Sequence, residues 1–288
     1  MQLDDGLFTR ATAMTHGYTD SEIVGMCRRG ELRRVANGIY VPAAVFDGLE
    51  PKEQHVVRAR AASLTRRGSV ASHQSAAAVH GLDLWDTDLT RVHLTVPGSG
   101  YCTAEVHLHG RRSVDRVTVD GIFATSLSRT VLDCARTLDF EHAVVIGDSA
   151  LRVDPGIGLD LSCSSGQTGI AAARRAVAFM NGLSESPGES LSRIRFRQYG
   201  IPPPILQYRI PGTNKRVDFY WHPGVVGEFD GMAKYAGRAS TLAHEKIRED
   251  DIRDRGNEVF RWTWRDLFEF DRVVYKYEQA VRRADRRR

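Results

Sequence analysis

The stretch KRVDFYWHPGVVGEFDG, residues 215–231, contains two short apolar runs on either side of a turn. Apolar residues that alternate on both sides of such a turn predict a β-hairpin. A three-residue loop over residues 222–224 places Asp218 directly opposite Glu228, whereas a two-residue loop would shift this register by one. Direct cross-strand neighbours have Cβ atoms roughly 5 Å apart. The sequence therefore predicts two adjacent carboxylates, with Asp230 further along the same face.

Two carboxylates at that separation need a compensating partner. At an effective dielectric constant of about 20 they repel each other by about 4 kcal/mol. One of them then holds a proton, or a divalent cation lies between them. Oxygen ligands without cysteine indicate Mg²⁺ or Mn²⁺. The alternative is that Asp230 pairs with Arg216, while Asp218 and Glu228 reach solvent separately.

The segment around the hairpin predicts the element order αβββαβ. A helix begins at Ser186, followed by proline, and ends at Gly200. Another helix, rich in charge, is capped by Ser240 and ends at Gly256. The strands are PILQYRI, KRVDFYW, VVGEFD and EVFRWTW. With its own strands and apolar residues, the segment 184–288 is predicted to form a separate domain.

The N-terminal residues 1–50 contain two short helix signals followed at once by a hairpin signal. The sequence TDSE, residues 19–22, has capping-box spacing and opens a helix over residues 20–29. Asn-Gly at 37–38 predicts a tight turn between two strands. This layout is typical of a winged helix-turn-helix, which binds DNA through its second helix and its wing. Phosphate-contacting positions carry Arg28, Arg29, Arg33 and Arg34. A solvated basic face without DNA is the alternative.

Residues 51–183 predict a central α/β region. A helix over residues 51–67 would supply the third helix that the N-terminal domain lacks. His93, His107 and His109 alternate with apolar residues in strand-like runs, so that the last two share a face. Two histidines at that spacing are able to bind a metal. Polar residues on the solvated face of a sheet are the preferred interpretation.

Composition indicates a cytoplasmic globular protein of α+β class. The chain has 288 residues, of which 42% are hydrophobic and 26% charged. It contains no run of about 18 apolar residues, so a membrane partner is not expected. The N-terminus MQLDDGLFTR lacks the apolar core of an export signal, and the four scattered cysteines indicate a reducing compartment. A net charge of only +4 does not by itself demand nucleic acid.

The motif series RVDFYW, GEFDG, KY, EKIRED and VFRWTWRDL carries a family resemblance. It resembles the C-terminal domain of a bacterial group related to very-short-patch-repair endonucleases, in the PD-(D/E)XK nuclease superfamily. The resemblance implies that Asp218 and Glu228 hold Mg²⁺. A lysine expected at position 230 is replaced by Asp230, which the resemblance makes a third ligand. The lysine role would then fall to Lys234 or Lys246.

Glu189 has two interpretations. It matches an acid that some superfamily members carry on their first helix, which would make it part of the catalytic site. It also has capping-box spacing from Ser186 and would then serve only to cap that helix.

A second resemblance covers LFTRATAMTHGYTDSEIVGMCRRGELRRVANGIYVP and ASHQSAAAVHGL. These segments are similar to the N-terminus of AbiEi-type antitoxins of type IV toxin–antitoxin systems. That similarity implies DNA and a cognate toxin as partners, and a homodimer if the DNA site is palindromic. The two resemblances together imply a DNA-binding protein with a metal-dependent endonuclease domain. The alternatives are an antitoxin or transcriptional repressor whose nuclease-fold domain is inactive, and a protein-interaction module.

Overall fold

The computed structural model describes residues 6–161, 168–231 and 249–287 of the chain. Helices and several sheets alternate, so the predicted α+β class is confirmed. No helix within these ranges is long and apolar enough to cross a membrane. The chain forms two compact units, Met1–Ile146 with Gly156–Ala178, and Gly147–Pro155 with Phe179–Arg288.

The N-terminal part of the first unit contains the predicted helices and hairpin. Its elements are β1 Phe8–Thr9, α1 Arg10–Thr15, α2 Asp20–Arg28, β2 Leu32–Ala36, β3 Ile39–Pro42 and α3 Ala43–Asp47. The strands form one sheet in the order β1-β3-β2. The capping box is confirmed, because the Thr19 side chain accepts from the Glu22 N–H while Glu22 accepts from the Thr19 N–H. At the hairpin turn, Gly38 has a φ of +68°, which favours glycine.

The helix α4, Pro51–Leu64, packs against this N-terminal sheet. One buried cluster joins the two parts, namely Leu7, Ala36, Ile39, Val41, Phe46, Val57 and Ala61. Residues 1–50 therefore share their core with α4, which takes the place predicted for a third helix.

A five-stranded mixed sheet forms the rest of the first unit. Its strands are β4 Val70–Ala71, β5 Val92–Pro97, β6 Val106–Arg111, β7 Val117–Val119 and β8 Ile122–Ala124, in the order β6-β5-β4-β8-β7. The helices in this part of the chain are α5 His73–Val79, α6 Leu127–Thr137, α7 Phe140–Val153 and α8 Ile170–Val177. β5 and β6 run parallel, and α5 packs against β5.

The second unit follows the predicted order of helix, three strands, helix and strand. Its elements are α9 Pro187–Gln198, β9 Ile205–Arg209, β10 Arg216–Trp221, β11 Val225–Asp230, the described part of α10 at 249–254, β12 Glu258–Thr263, α11 Trp264–Phe268 and α12 Asp271–Arg286. The sheet order is β12-β11-β10-β9, with β11 and β12 parallel. Ser240, the predicted cap of α10, lies outside the described residues.

Aromatic residues pack α9 against one face of this sheet. The ring of Phe196 on α9 meets Phe219, Trp221 and Trp262 edge-on, at centroid distances of 5.3, 5.1 and 5.5 Å. The Trp262 indole N–H donates to Ser192 Oγ over 2.8 Å. The alternation of β10 therefore buries Phe219 and Trp221 under α9 and turns Asp218 to the other face.

Candidate functional site

The β10–β11 hairpin has the predicted register. Its pairs are Phe219–Gly227, Tyr220–Val226 and Trp221–Val225, which leaves a three-residue loop. Next to the Phe219–Gly227 pair, at the end away from the loop, Asp218 Oδ2 accepts a hydrogen bond from the Phe229 N–H at 3.0 Å. Asp218 is therefore held beside the peptide bond that joins Glu228 to Phe229.

Arg261 on β12 contacts three carboxylates at once. In the parallel ladder it lies opposite Glu228, whose Oε2 is 2.7 Å from Arg261 Nη2. Asp230 Oδ1 lies 3.1 Å from Nη1, and Glu249 Oε2 on α10 lies 3.1 Å from Nε. Because Glu228 is only 4% exposed, its charge needs such a partner. We call Asp218, Glu228, Asp230 and Glu249 with Arg261 the carboxylate cluster.

The ligand type of the carboxylate cluster suits a hard divalent cation, although among the described residues no three of these acids bring their oxygens within 4.8 Å of one another. Carboxylate oxygens are the ligands that Mg²⁺ and Mn²⁺ prefer, and the four acids outnumber the guanidinium that contacts three of them. A cation held by Glu228 and Asp230 would share these two carboxylates with Arg261. Lys234 and Lys246 lie outside the described residues.

Asp230 does not pair with Arg216, as one interpretation of the sequence expected. Arg216 contacts Glu185 at 2.8 Å, and Asp230 contacts Arg261 instead. The guanidinium that pairs with Asp230 therefore comes from the parallel strand β12 and not from β10.

Glu189 lies in the first turn of α9 and is tied to β9. Its Oε1 accepts from the Ser186 hydroxyl, and its Oε2 accepts from the Glu185 N–H and the Gln207 amide, each at 2.9 Å. Burial raises the pKa of Glu189, which is 7% exposed. Gln207 has a φ of +51°, a strained value for a residue other than glycine, in the strand beside Asp218. Ser186 caps α9 by accepting from the Glu189 N–H, but the Glu189 carboxylate accepts from the Glu185 N–H and not from that of Ser186, so the predicted capping box is formed only in part. A catalytic role of Glu189 stays a prediction.

Three of the four N-terminal arginines contact neighbours in their own region. Arg29 contacts Glu31 at 2.5 Å, and Arg33 contacts Asp47 at 2.7 Å. Arg34 donates to Asn37 Oδ1 at 2.8 Å. Arg28 is exposed at the end of α2. All four lie at or near the surface, where phosphate is able to compete with such contacts.

Four histidines of the first unit lie in contact with one another, and we call His73, His93, His107 and His109 the histidine cluster. His107 and His109 share a strand face as predicted, with ring centroids 4.0 Å apart. His73, at the start of α5, stacks on His109 at 3.7 Å. His93 lies 5.2 Å from both strand neighbours. His93, His107 and His109 are half-buried, and His73 packs on the ring of His109, so this polar face is only partly open to solvent.

Burial keeps the imidazoles of His73, His93 and His109 neutral. It lowers the pKa of His93 to about 4 and that of His109 to about 2. The pKa of His73, which is 2% exposed, also falls well below its usual value. Neutral imidazole is the form that carries a lone pair for hydrogen bonding or metal binding.

Sequence reasoning missed Arg261 and His73. An arginine between Phe260 and Trp262 is a signal for the first, since alternation turns its guanidinium to the face opposite those two rings. The signal for His73 is weaker, because it lies 20 residues before His93 in a run of small residues.

Comparison with known proteins gives relatives without an assigned activity. No family model matches the chain. Two proteins of Mycobacterium tuberculosis are similar, uncharacterized protein MT2308 (strain CDC 1551 / Oshkosh) and uncharacterized protein Rv2248 (strain ATCC 25618 / H37Rv). Each is 32% identical over 197 residues, which cover 65% of this chain and 72% of the relative. The chain belongs to the same family as these two mycobacterial proteins.

Proposed function

We propose that the chain is a DNA-binding protein whose second unit is a metal-dependent endonuclease of the PD-(D/E)XK type. The observation that carries this proposal is the register of β10 and β11, which brings Asp218 beside Glu228. The order αβββαβ and the parallel strand β12 next to β11 support the same superfamily. The reaction would be hydrolysis of a phosphodiester bond.

In this proposal Asp218 and Glu228 hold Mg²⁺ or Mn²⁺, with Asp230 as a third ligand. When bound, the cation would polarise the phosphate and lower the pKa of the attacking water. Arg261 positions Glu228 by holding its Oε2 atom. Lys234 would stabilise the negative charge that develops on the phosphate.

DNA binding is proposed for the N-terminal region as a winged helix-turn-helix. The helix α2 would enter the major groove, and the β2–β3 hairpin would act as the wing. Arg28, Arg29, Arg33 and Arg34 would contact phosphates and position the protein on the duplex. A homodimer in the bacterial cytoplasm is the matching assembly for a palindromic site.

One observation favours a second candidate, an AbiEi-like antitoxin or transcriptional repressor whose nuclease-fold domain is inactive. Arg261 already serves as a counterion for Glu228 and Asp230, and the residue at 230 is an acid where the superfamily has lysine. In this version the second unit serves assembly, and a cognate toxin is the partner.

Calorimetry with Mg²⁺ and Mn²⁺ on the full chain, followed by plasmid nicking on the same samples, separates the two candidates. Wild type is expected to bind the metal and nick DNA, and Asp218→Asn to lose both. Asp285→Asn makes the same change at an exposed position of α12 and should behave as wild type. Absence of both behaviours in wild type contradicts the endonuclease.

DNA binding in the presence of a chelator tests the second candidate. Gel-shift titrations should show binding that weakens when all four N-terminal arginines become alanine. Arg265→Ala, which removes an arginine with 74% of its side chain exposed in the second unit, is the matched control. Equal loss in the control would contradict the proposed DNA surface.

A further inference from the structure

Three histidines from three separate elements bring ring nitrogens together in the first unit. His93 lies on β5, His109 lies on β6, and His73 is the first residue of α5. One nitrogen from each ring lies within 4.8 Å of the other two. The residues are 16 to 36 positions apart in the chain, so only the packing of α5 over the parallel pair β5–β6 unites them.

The spacing of these nitrogens is close to that of a metal site. His93 Nδ1 and His109 Nε2 are 3.0 Å apart. Two imidazoles on one tetrahedral Zn²⁺, with bonds of about 2.0–2.1 Å, have nitrogens about 3.3 Å apart. His73 Nδ1 contacts Ser72 Oγ at 3.1 Å, which leaves Nε2 as the nitrogen for a ligand. The rings of His73 and His109 are stacked, with centroids 3.7 Å apart and 21° between their planes, so these two side chains must reorient before both lone pairs point at one ion.

Gln74 occupies the position of an outer-shell partner for His93. Its Nε2 lies 3.0 Å from His93 Nε2, while its buried Oε1 has no hydrogen-bond partner among the described residues. Exchanging the amide oxygen and nitrogen, which have the same shape, would let the His93 Nε2–H donate to Oε1. That hydrogen bond would direct the Nδ1 lone pair of His93 to the ion. The Gln74 NH2 group would then give up its 3.5 Å contact with the Asp88 carbonyl and take the buried position that Oε1 now occupies.

The backbone and the charges around the site also bear on a bound cation. His73 has a φ of +52°, a strained conformation that persists only where the surrounding structure fixes it. The nearby Arg111, Arg129 and Arg136 lie 3.7, 2.7 and 3.5 Å from carboxylate oxygens of Asp133, so one negative charge faces three guanidiniums. The ion would therefore be held by its bonds to the imidazoles and not by the surrounding charge.

We propose that His73, His93 and His109 bind a borderline transition-metal ion, with Zn²⁺ as the ion of first choice. Imidazole nitrogens suit Zn²⁺ and not Mg²⁺, so this site is distinct in chemistry from the carboxylate cluster. Three protein ligands leave the fourth tetrahedral position open, as in zinc sites that bind water or a substrate. The proposal does not depend on the nuclease activity.

Calorimetric titration of the chelator-treated full chain with Zn²⁺ tests the site, and His107 provides the matched control. Wild type is expected to bind about one equivalent. His93→Gln with His109→Gln should weaken binding by more than about 100-fold, because changes in outer-shell residues alone cost about 10- to 100-fold. Gln74→Leu should fall in that smaller range. His107→Gln, which alters a stacked neighbour outside the triad, should stay within about threefold of wild type, since it removes no ligand.

X-ray absorption spectroscopy of the zinc-loaded wild type keeps the test independent of how the variants fold. The expected shell contains three imidazole nitrogens. A shell of carboxylate oxygens, zinc binding that survives the double substitution, or an equal loss in His107→Gln would overturn the proposal. So would the absence of zinc binding to wild type.

Discussion

The carboxylate cluster and the histidine cluster are stabilised in opposite ways. Glu228 is buried, and Arg261 on the next strand contacts its carboxylate at 2.7 Å. His93 and His109 are half-buried as neutral groups, because burial lowers their pKa to about 4 and about 2. One region therefore depends on an opposite charge, and the other depends on the absence of charge.

This difference indicates how each region should fail. A buried carboxylate whose guanidinium partner is removed is left without a counterion, and its desolvation is no longer compensated. A buried imidazole fails when acid offers it a proton that the folded state cannot accommodate. Removing one side chain should thus damage the first region, and lowering the pH should damage the second.

The largest effect is expected for Arg261→Ala. The substitution removes the guanidinium that contacts Glu228, Asp230 and Glu249, and it should lower the free energy of unfolding by about 3–5 kcal/mol. Urea denaturation measures this change. Arg265→Ala, whose ion pair with Glu269 is exposed, should cost less than about 0.5 kcal/mol. A cost for Arg261→Ala no greater than for the control would mean that the acids have another counterion.

A slightly smaller effect is expected from acid at His55 on α4, a buried imidazole of the first unit that is not part of the histidine cluster. Its imidazole is fully buried between Ser75 Oγ and the Leu89 carbonyl, and burial lowers its pKa from 6.5 to about 4. At a pH between these two pKa values, the unfolded chain binds a proton at His55 that the folded chain does not. Stability from this group is therefore present above pH 6.5 and is lost as the pH falls, by about 3 kcal/mol.

The measurement is urea denaturation of wild type and His55→Gln from pH 7 to pH 4. The variant lacks the titrating group, so the stability difference between the two proteins should shrink as the pH falls. Parallel curves would show that His55 becomes protonated without cost in the folded state.

An intermediate effect is expected for Gly188→Ala, at the point where α9 touches the strand of the acids. A Cβ atom at Gly188 would overlap the ring of Phe229. Such overpacking should destabilise the second unit by about 1–3 kcal/mol in thermal or urea unfolding. Gly158→Ala, where a Cβ meets nothing within 4 Å, is the control. Combining Gly188→Ala with Phe229→Leu should recover part of the loss, and failure to do so would point to another contact.

The smallest effect is expected for Asp230→Asn. Within the described ranges, the ion pair of Asp230 is with Nη1 of Arg261, and Glu228 and Glu249 keep the guanidinium paired. The amide oxygen of asparagine is still able to accept, so the loss should stay below about 1 kcal/mol. A loss as large as that of Arg261→Ala would make Asp230, rather than Glu228, the main partner of the guanidinium.

Local signals predicted most elements of both units. The capping box at Thr19 and Glu22, the Asn-Gly turn, and the proline after Ser186 all act through contacts within a few residues. The register of the hairpin that carries Asp218 and Glu228 followed from loop length alone, because a turn of three residues leaves one pairing.

The alternation of polar and apolar residues in β6 did not predict what packs on its polar face. The pattern of β6 correctly places His107 and His109 on one face, but it does not show what covers that face. Here the helix α5 brings His73 against His109. The polar face predicted to contact water contacts other imidazoles as well, and its rings are half-buried.

By itself the sequence determined most helices and the hairpins, since these depend on side chains and backbone groups close together in the chain. It placed Asp218 opposite Glu228 only on condition of a three-residue loop, which the structure shows. Only the tertiary structure decided which charges meet. Arg261 reaches Glu228 through a parallel pairing of strands 33 residues apart in sequence, and His73 reaches His109 through helix-on-sheet packing. Such contacts depend on the burial of whole apolar faces, which short-range patterns do not specify.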